Sequence, residues 1–196
     1  MVVKKTSAVP EEPHWLSGQI LIAMPSMPDR RFAQSVIFMC AHTAEGAMGI
    51  TVNRPLSKPE FAGLLAQLGI EPAPPLREIR IGAGGPVDSN RGFVLHSADW
   101  TAEGSLEVDD SYVLTASLDI LRAIAEGGGP SQGFLAMGYA AWEAGQLDDE
   151  ILRNAWLSVP ADAELVFGND HKTKWTRALA KLRINPGMLS GEAGRA

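Results

Sequence analysis

Short apolar runs separated by Gly, Pro and Asp/Asn punctuate almost the whole chain, and their periods predict the elements. Gln19–Met24 (QILIAM) reads as a buried strand, which Pro25 and Pro28 close because neither offers an amide donor. Ser35–His42 (SVIFMCAH) is a second strand. Its alternation puts Val36, Phe38, Cys40 and His42 on one face and Ile37, Met39 and Ala41 on the other. Both faces are apolar, so the strand is expected to be covered on both sides. Thr43–Gly46 makes a hairpin loop, and Ala47–Asn53 returns.

A helical period follows. Ser57 and Glu60 match a capping box, Phe61, Leu64, Leu65 and Leu68 fall on one face, and Gly69 stops the helix. Strands are then predicted at Ile79–Ala83 and Gly92–His96, with a hairpin of Leu106–Val108 and Tyr112–Thr115. Ser117 caps a helix through Leu118, Leu121, Ile124 and Ala125, and Phe134–Met137 is a further strand. The chain closes with a helix at Gly145–Asn154, a strand at Trp156–Val159, a short helix capped by Asp162 and a longer one capped by Asp170. In the longer helix Trp175, Ala178, Leu179 and Leu182 face inward. Strands grouped with irregularly placed helices indicate an α+β fold and not a βαβ alternation.

Residues 1–14 mix Lys, Pro and Glu without period and read as a flexible N-terminal tail, its end docked by Trp15 and Leu16. Residues 15–186 read as one domain and 187–196 as a loose C-terminal end. One domain is the default for 196 residues, and a hydrophobic fraction of 45% with 20% charged residues is that of an ordinary globular protein. A net charge of −6 opposes nucleic acid and anionic membranes. One cysteine, no apolar run of membrane-spanning length and no secretory signal point to a cytoplasmic protein.

Candidate chemistry is sparse. Cys40 and His42, two apart on one strand, could form a thiol–imidazole pair. Side chains so spaced stand roughly 7 Å apart, however, and a cysteine in an apolar strand is more often inert core. Asp29, Arg30 and Arg31 lie in a loop where arginines can clamp a phosphate or carboxylate, or where Asp29 simply pairs with one of them. Asn53 and Arg54 end the hairpin, and either orient the chain or share a cleft with that loop.

Gly82–Pro86 (GAGGP) follows a strand, but no P-loop lysine or helix comes after it, so it reads as a glycine-rich turn. Arg91 and His96 flank the next strand. Asp148, Asp149 and Glu150 open a helix and suit its dipole. Lys174, Arg177 and Lys181 form one basic helix face, read as solvated and, less readily, as a DNA contact. One cysteine and four scattered histidines do not supply a metal shell, and no cofactor motif is present.

Three long motifs, GQILIAMPSMPDRRFAQSVIFMCAHTAEGAMGITVNRP, GGPVDSNRGFVLHS and GYAAWEAGQLDDEI, resemble in that order the bacterial YqgE/AlgH family. The resemblance runs from about Trp15 to about Leu182; Ala141 departs from the family's usual glycine. It implies a single α+β domain whose bifurcated sheet curls into a pseudo-barrel with helices outside. The family carries an indirect attribution as a transcriptional regulator and offers no catalytic residues to transfer. The expectation is a non-enzymatic regulatory or binding module for a small anion-bearing ligand or a protein partner. Its candidate residues are Arg30, Arg31, Asn53, Arg54, Arg91 and His96. The alternatives are a thiol-based enzyme or redox sensor at Cys40, and direct DNA binding.

Overall fold

A computed structural model describes residues 15–189, so the tail at 1–14 and the last residues of the C-terminal end lie outside the described part. In chain order its strands are β1 (Gln19–Ala23), β2 (Val36–Thr43), β3 (Gly46–Thr51), β4 (Pro55–Leu56), β5 (Ile81–Ala83), β6 (Val87–Ser97), β7 (Leu106–Glu107), β8 (Tyr112–Thr115), β9 (Gly133–Glu143) and β10 (Trp156–Pro160). The helices are α1 (Phe61–Gln67), α2 (Leu118–Ala125), α3 (Gln146–Leu152), α4 (Ala163–Phe167) and α5 (Lys174–Lys181). Together they form one α+β domain, a curled and largely antiparallel sheet that makes a half-barrel carrying five helices.

The sheet runs β10-β1-β2-β3-β9-β6-β8-β7, with β4 and β5 off this path. It divides at β9. Residues 135–137 of β9 pair with β6 on one edge and, in parallel, with β5 on the other, while residues 140–143 pair with β3. β5 and β3 meet end to end there, since the Thr51 amide donates to the Gly84 carbonyl and the Gly84 amide to that of Met137.

Backbones approach so closely at this junction that a Cβ at Gly84 would strike the Gly138 carbonyl oxygen, and one at Gly85 the Tyr139 backbone. Gly138 has φ +73°, and a Cβ on it would lie 2.5 Å from the Gly85 oxygen. The glycine-rich segment is therefore a strand crossing. It also leads directly into strand, because β6 begins at Val87, five residues before the expected start. The polar, irregular stretch Asp88–Arg91 hid this, and the β6–β9 register shifts between Val87 and Gly92.

Covering on both faces of β1 and β2 is what the double apolar pattern predicted. Ile20, Ile22, Val36 and Phe38 pack inside the half-barrel with α4 and α5. Leu21, Ile37 and Met39 pack on the opposite face with Trp142, Trp156 and Leu147 of α3. A third cluster joins α1 and α2 to the outer face of β6 and β9 through Leu65, Ile120, Ile124, Val94 and Leu135.

Three local expectations are corrected. Glu60 is the N-cap of α1 and pairs with Lys58 at 3.1 Å, so it does not reach back to Ser57 as a capping box requires. Asp170 binds the Thr173 hydroxyl at 2.6 Å, and α5 starts only at Lys174. Leu182 lies past the end of α5 and is exposed. The Asp162 cap is as expected: its carboxylate accepts from the Leu165 amide at 2.8 Å.

α4 and α5 are tied to the sheet by buried polar groups. Lys174 is fully buried, and its Nζ donates to the carbonyls of Val52 (2.9 Å) and Val166 (3.3 Å). Arg80 Nη2 donates to the same Val166 carbonyl at 2.9 Å, and the Arg80 guanidinium lies 3.7 Å from the Phe134 ring centre. Two cationic side chains thus share neutral acceptors, among them a carbonyl from the last turn of a helix. Neither forms an ion pair among the described residues. Burial and the facing Arg80 charge push Lys174 down to about 7. Among the described residues no helix is long and apolar enough to cross a membrane.

Three outcomes follow for stability. Gly138→Ala should cost roughly 3 kcal/mol in urea unfolding from combined strain and overpacking. Gly63→Ala, in α1 with open space around it, should gain about 0.5–1 kcal/mol. For Lys174 the folded value lies below the unfolded one, so the unfolded chain binds the extra proton between about pH 7 and 10.5. Wild-type stability should therefore rise relative to Lys174→Met across that window and run parallel to it below pH 7. Urea midpoints at stepped pH values check this.

Candidate functional site

The loop after β1 is shaped by Asp29. Its Oδ1 accepts from the Arg31 amide at 3.0 Å and caps a single 3-10 turn, Arg30–Phe32. Arg31 folds back on the same carboxylate, with Nη2 to Oδ2 at 2.7 Å and Nε within 3.1 Å of both oxygens. This pairing holds the Asp29 carboxyl below the usual range. The turn delivers Phe32 onto Trp142 and Trp156, with ring centres 6.4 and 5.6 Å away.

Facing the turn across a cleft of about 620 Å³ are the end of β9 and helix α3. α3 carries Gln146 and Glu150 one turn apart, hence on one face. Glu150 Oε2 accepts from the indole N–H of Trp142 (3.0 Å) and of Trp156 (2.8 Å). Its Oε1 accepts from Gln146 Nε2 at 2.9 Å. The carboxylate is thereby fixed in orientation by three donors from three elements. Arg153, just past α3, also lines the cleft and carries no ion pair or side-chain hydrogen bond among the described residues. The result is an aromatic wall with a guanidinium on either side: Arg31 bound to Asp29, Arg153 unpaired.

The other sequence candidates lie apart from this cleft. Asn53 accepts from the Val36 amide at 3.0 Å and donates to the Gln34 carbonyl at 2.9 Å. Arg54 donates to the Ala33 carbonyl and the Ser35 hydroxyl. Both side chains brace the loop between β1 and β2 from behind. Arg91 is exposed on β6, its guanidinium 5.0 Å from the Phe93 ring centre. His96 is buried, with Nε2 2.8 Å from the Thr115 hydroxyl and Nδ1 2.9 Å from the Ser97 carbonyl, and burial lowers its pKa. Arg30 is exposed on the turn.

Cys40 and His42 do not share a face. The β2–β3 register shifts between Met39 and Ala41, leaving Cys40 as the extra residue of a bulge. Cys40 belongs to the half-barrel interior, whereas His42 pairs with Ala47 on the α3 side. One extra residue in a strand turns every later side chain over, which reverses the predicted juxtaposition. The thiol is buried, and desolvation pushes its pKa up. His42 is occupied elsewhere: Nδ1 accepts from the Leu16 amide at 3.3 Å, and Nε2 lies 3.4 Å from Asp148.

The basic face of α5 is likewise divided. Lys174 points into the core, Arg177 faces Glu164 at 3.6 Å, and Lys181 binds Asp162 at 2.7 Å. Among the described residues no group of three or more His, Cys, Asp or Glu is placed to hold a metal ion.

Sequence reasoning missed Trp142, Gln146, Glu150 and Arg153 as a site. The available signal was the Gln146–Glu150 helical spacing between two tryptophans, Trp142 and Trp156, on flanking strands.

Comparison with known proteins converges on one family. The profile of the AlgH-like family, DUF179, matches residues 20–187. A UPF0301 protein of Rhodospirillum rubrum is 54% identical over 93% of this chain and 95% of its own length. Another, from Azorhizobium caulinodans, is 50% identical over the full length of both chains. The solution structure of the Pseudomonas aeruginosa AlgH protein superposes with a TM-score of 0.75 at 41% identity, covering 96% of this chain and 100% of that one. A Corynebacterium diphtheriae protein of 21% identity shares the fold with a TM-score of 0.69, covering 89% of this chain and 91% of its own. The chain belongs to the AlgH-like (UPF0301) family.

Proposed function

We propose that this protein is a regulatory binding module. Its ligand is a small molecule that joins a flat ring to an anionic group, and it is held in the cleft between the Asp29–Phe32 turn and α3. The observation that carries this reading is the unpaired Arg153 guanidinium at the edge of an aromatic-walled cleft. Guanidinium groups bind carboxylate and phosphate through paired donors, and an adjacent aromatic wall favours a planar body. Glu150 fits a positioning role: three donors already occupy its oxygens, so it anchors the wall and leaves ligand contact to Arg153 and Phe32.

The two indole N–H groups on Glu150 provide built-in reporters. In a nitrogen-15 NMR titration with indole-3-acetate and adenosine monophosphate as probes, at least one should shift the Trp142 and Trp156 indole signals saturably. Arg153→Ala should weaken that probe about tenfold, the usual worth of a charge-assisted hydrogen bond, and leave the rest of the spectrum in place. Indole signals that stay put at millimolar concentrations of both probes, or shifts gathered elsewhere on the domain, would sink the proposal.

A further inference from the structure

On the inner face of the half-barrel, β2, β3, β9 and β6 bound an open trough of about 430 Å³. One row of paired residues crosses its floor: Ala41 lies opposite Met48, and Met48 opposite Ala141. Short alanines on either side of the methionine leave a shallow apolar bed. Phe93 and Tyr139 wall it, their rings edge to face with centres 5.6 Å apart.

The trough is electrically polarised. Glu45, in the turn between β2 and β3, and Arg91, on β6, are the charged residues of its lining. The Arg91 guanidinium lies 5.0 Å from the Phe93 ring centre, and Phe93 belongs to the interior cluster, so this cation stands on the trough's side of β6. Glu143 is opposite Gly46 and on the same side of β9 as Ala141, which sets a second carboxylate at the Glu45 end. None of the three forms an ion pair among the described residues, so neither end satisfies the other. β9 lies between β3 and β6, and two strand spacings amount to about 10 Å.

From this arrangement we infer that the trough binds a short free peptide in extended form, with its amino terminus at Glu45 and Glu143 and its carboxylate at Arg91. A single amino acid carries both charges on one carbon and reaches only one end. Three extended residues span about 10 Å, which matches the separation of the charged ends. A middle aliphatic side chain then falls on Met48 and Tyr139. Ala141 and Trp142 also border the Arg153 cleft, but the Trp142 indole packs with the outer-face cluster. The inference therefore does not rest on the Arg153 reading.

The test uses the full-length chain and the tripeptide Ala-Leu-Ala, with its N-acetylated form, its C-terminal amide and free leucine as controls. Methyl and ring-proton NMR should show saturable shifts at Met48, Phe93 and Tyr139. Each blocked form, and leucine, should bind about fivefold more weakly, the worth of one exposed ion pair. Arg91→Ala, and Glu45→Gln combined with Glu143→Gln, alter exposed positions. Each should lower affinity for the free tripeptide by about the same factor and leave the rest of the spectrum in place. Arg91→Ala should make no difference to the amide, which identifies the end that Arg91 holds. The inference is overturned by any of four results. These are no saturable binding at millimolar Ala-Leu-Ala, a blocked form or leucine binding as tightly as the free tripeptide, indifference to either variant, or shifts on the Trp142 and Trp156 indoles instead.

Discussion

The contact between Gly84–Gly85 and Gly138 is the constraint on which the architecture rests. β9 can serve three strands only because, where β5 ends and β3 takes over its edge, the backbones come closer than any Cβ permits. Removing side chains there lets one long strand carry the half-barrel on its C-terminal half and the α1–α2 layer on its N-terminal half. Gly138 also needs a left-handed conformation, which turns the strand between those two duties. A segment resembling a phosphate-binding loop is thus explained by packing geometry.

Because the sheet divides, the described residues form three apolar clusters, on its two faces and around its branch. The Arg153 cleft lies where the loop after β1 meets the end of β9 and α3. There the Arg153 guanidinium, without a carboxylate partner among the described residues, stands beside apolar surface. The buried cations are different in kind. Lys174 Nζ donates to the carbonyls of Val52 and Val166 and Arg80 Nη2 to that of Val166, which fastens α4 and α5 over the end of the half-barrel. The indole of Trp175 adds a bond to the Ala23 carbonyl at 2.8 Å.

Several polar residues at strand ends proved to be braces. Asn53 and Arg54 satisfy backbone groups of the neighbouring loop, as exposed strand-end segments require. His96 satisfies a hydroxyl and a carbonyl within the sheet. Arg31 lines the cleft and is at the same time the partner of Asp29.

By itself the sequence determined the class of fold, the position of most strands and helices, and the covering of β1 and β2 on both faces. These are matters of local period, and a run such as Ile20–Ile22 or Val36–Phe38 states its burial in its own composition. Tertiary structure alone decided which polar groups meet. Lys174 bonds a carbonyl 122 residues away, and Trp175 one 152 residues away, so no neighbouring residue records either contact. The bulge at Cys40 is invisible in an unbroken apolar run, yet it turns His42 to the opposite face. Glu150 looked like a dipole-matching acid, yet the strands on either side of α3 bring the indoles of Trp142 and Trp156 onto its carboxylate. Periodicity reports which side of an element is buried, whereas a site depends on which elements that side is buried against, and only the closed sheet fixes this.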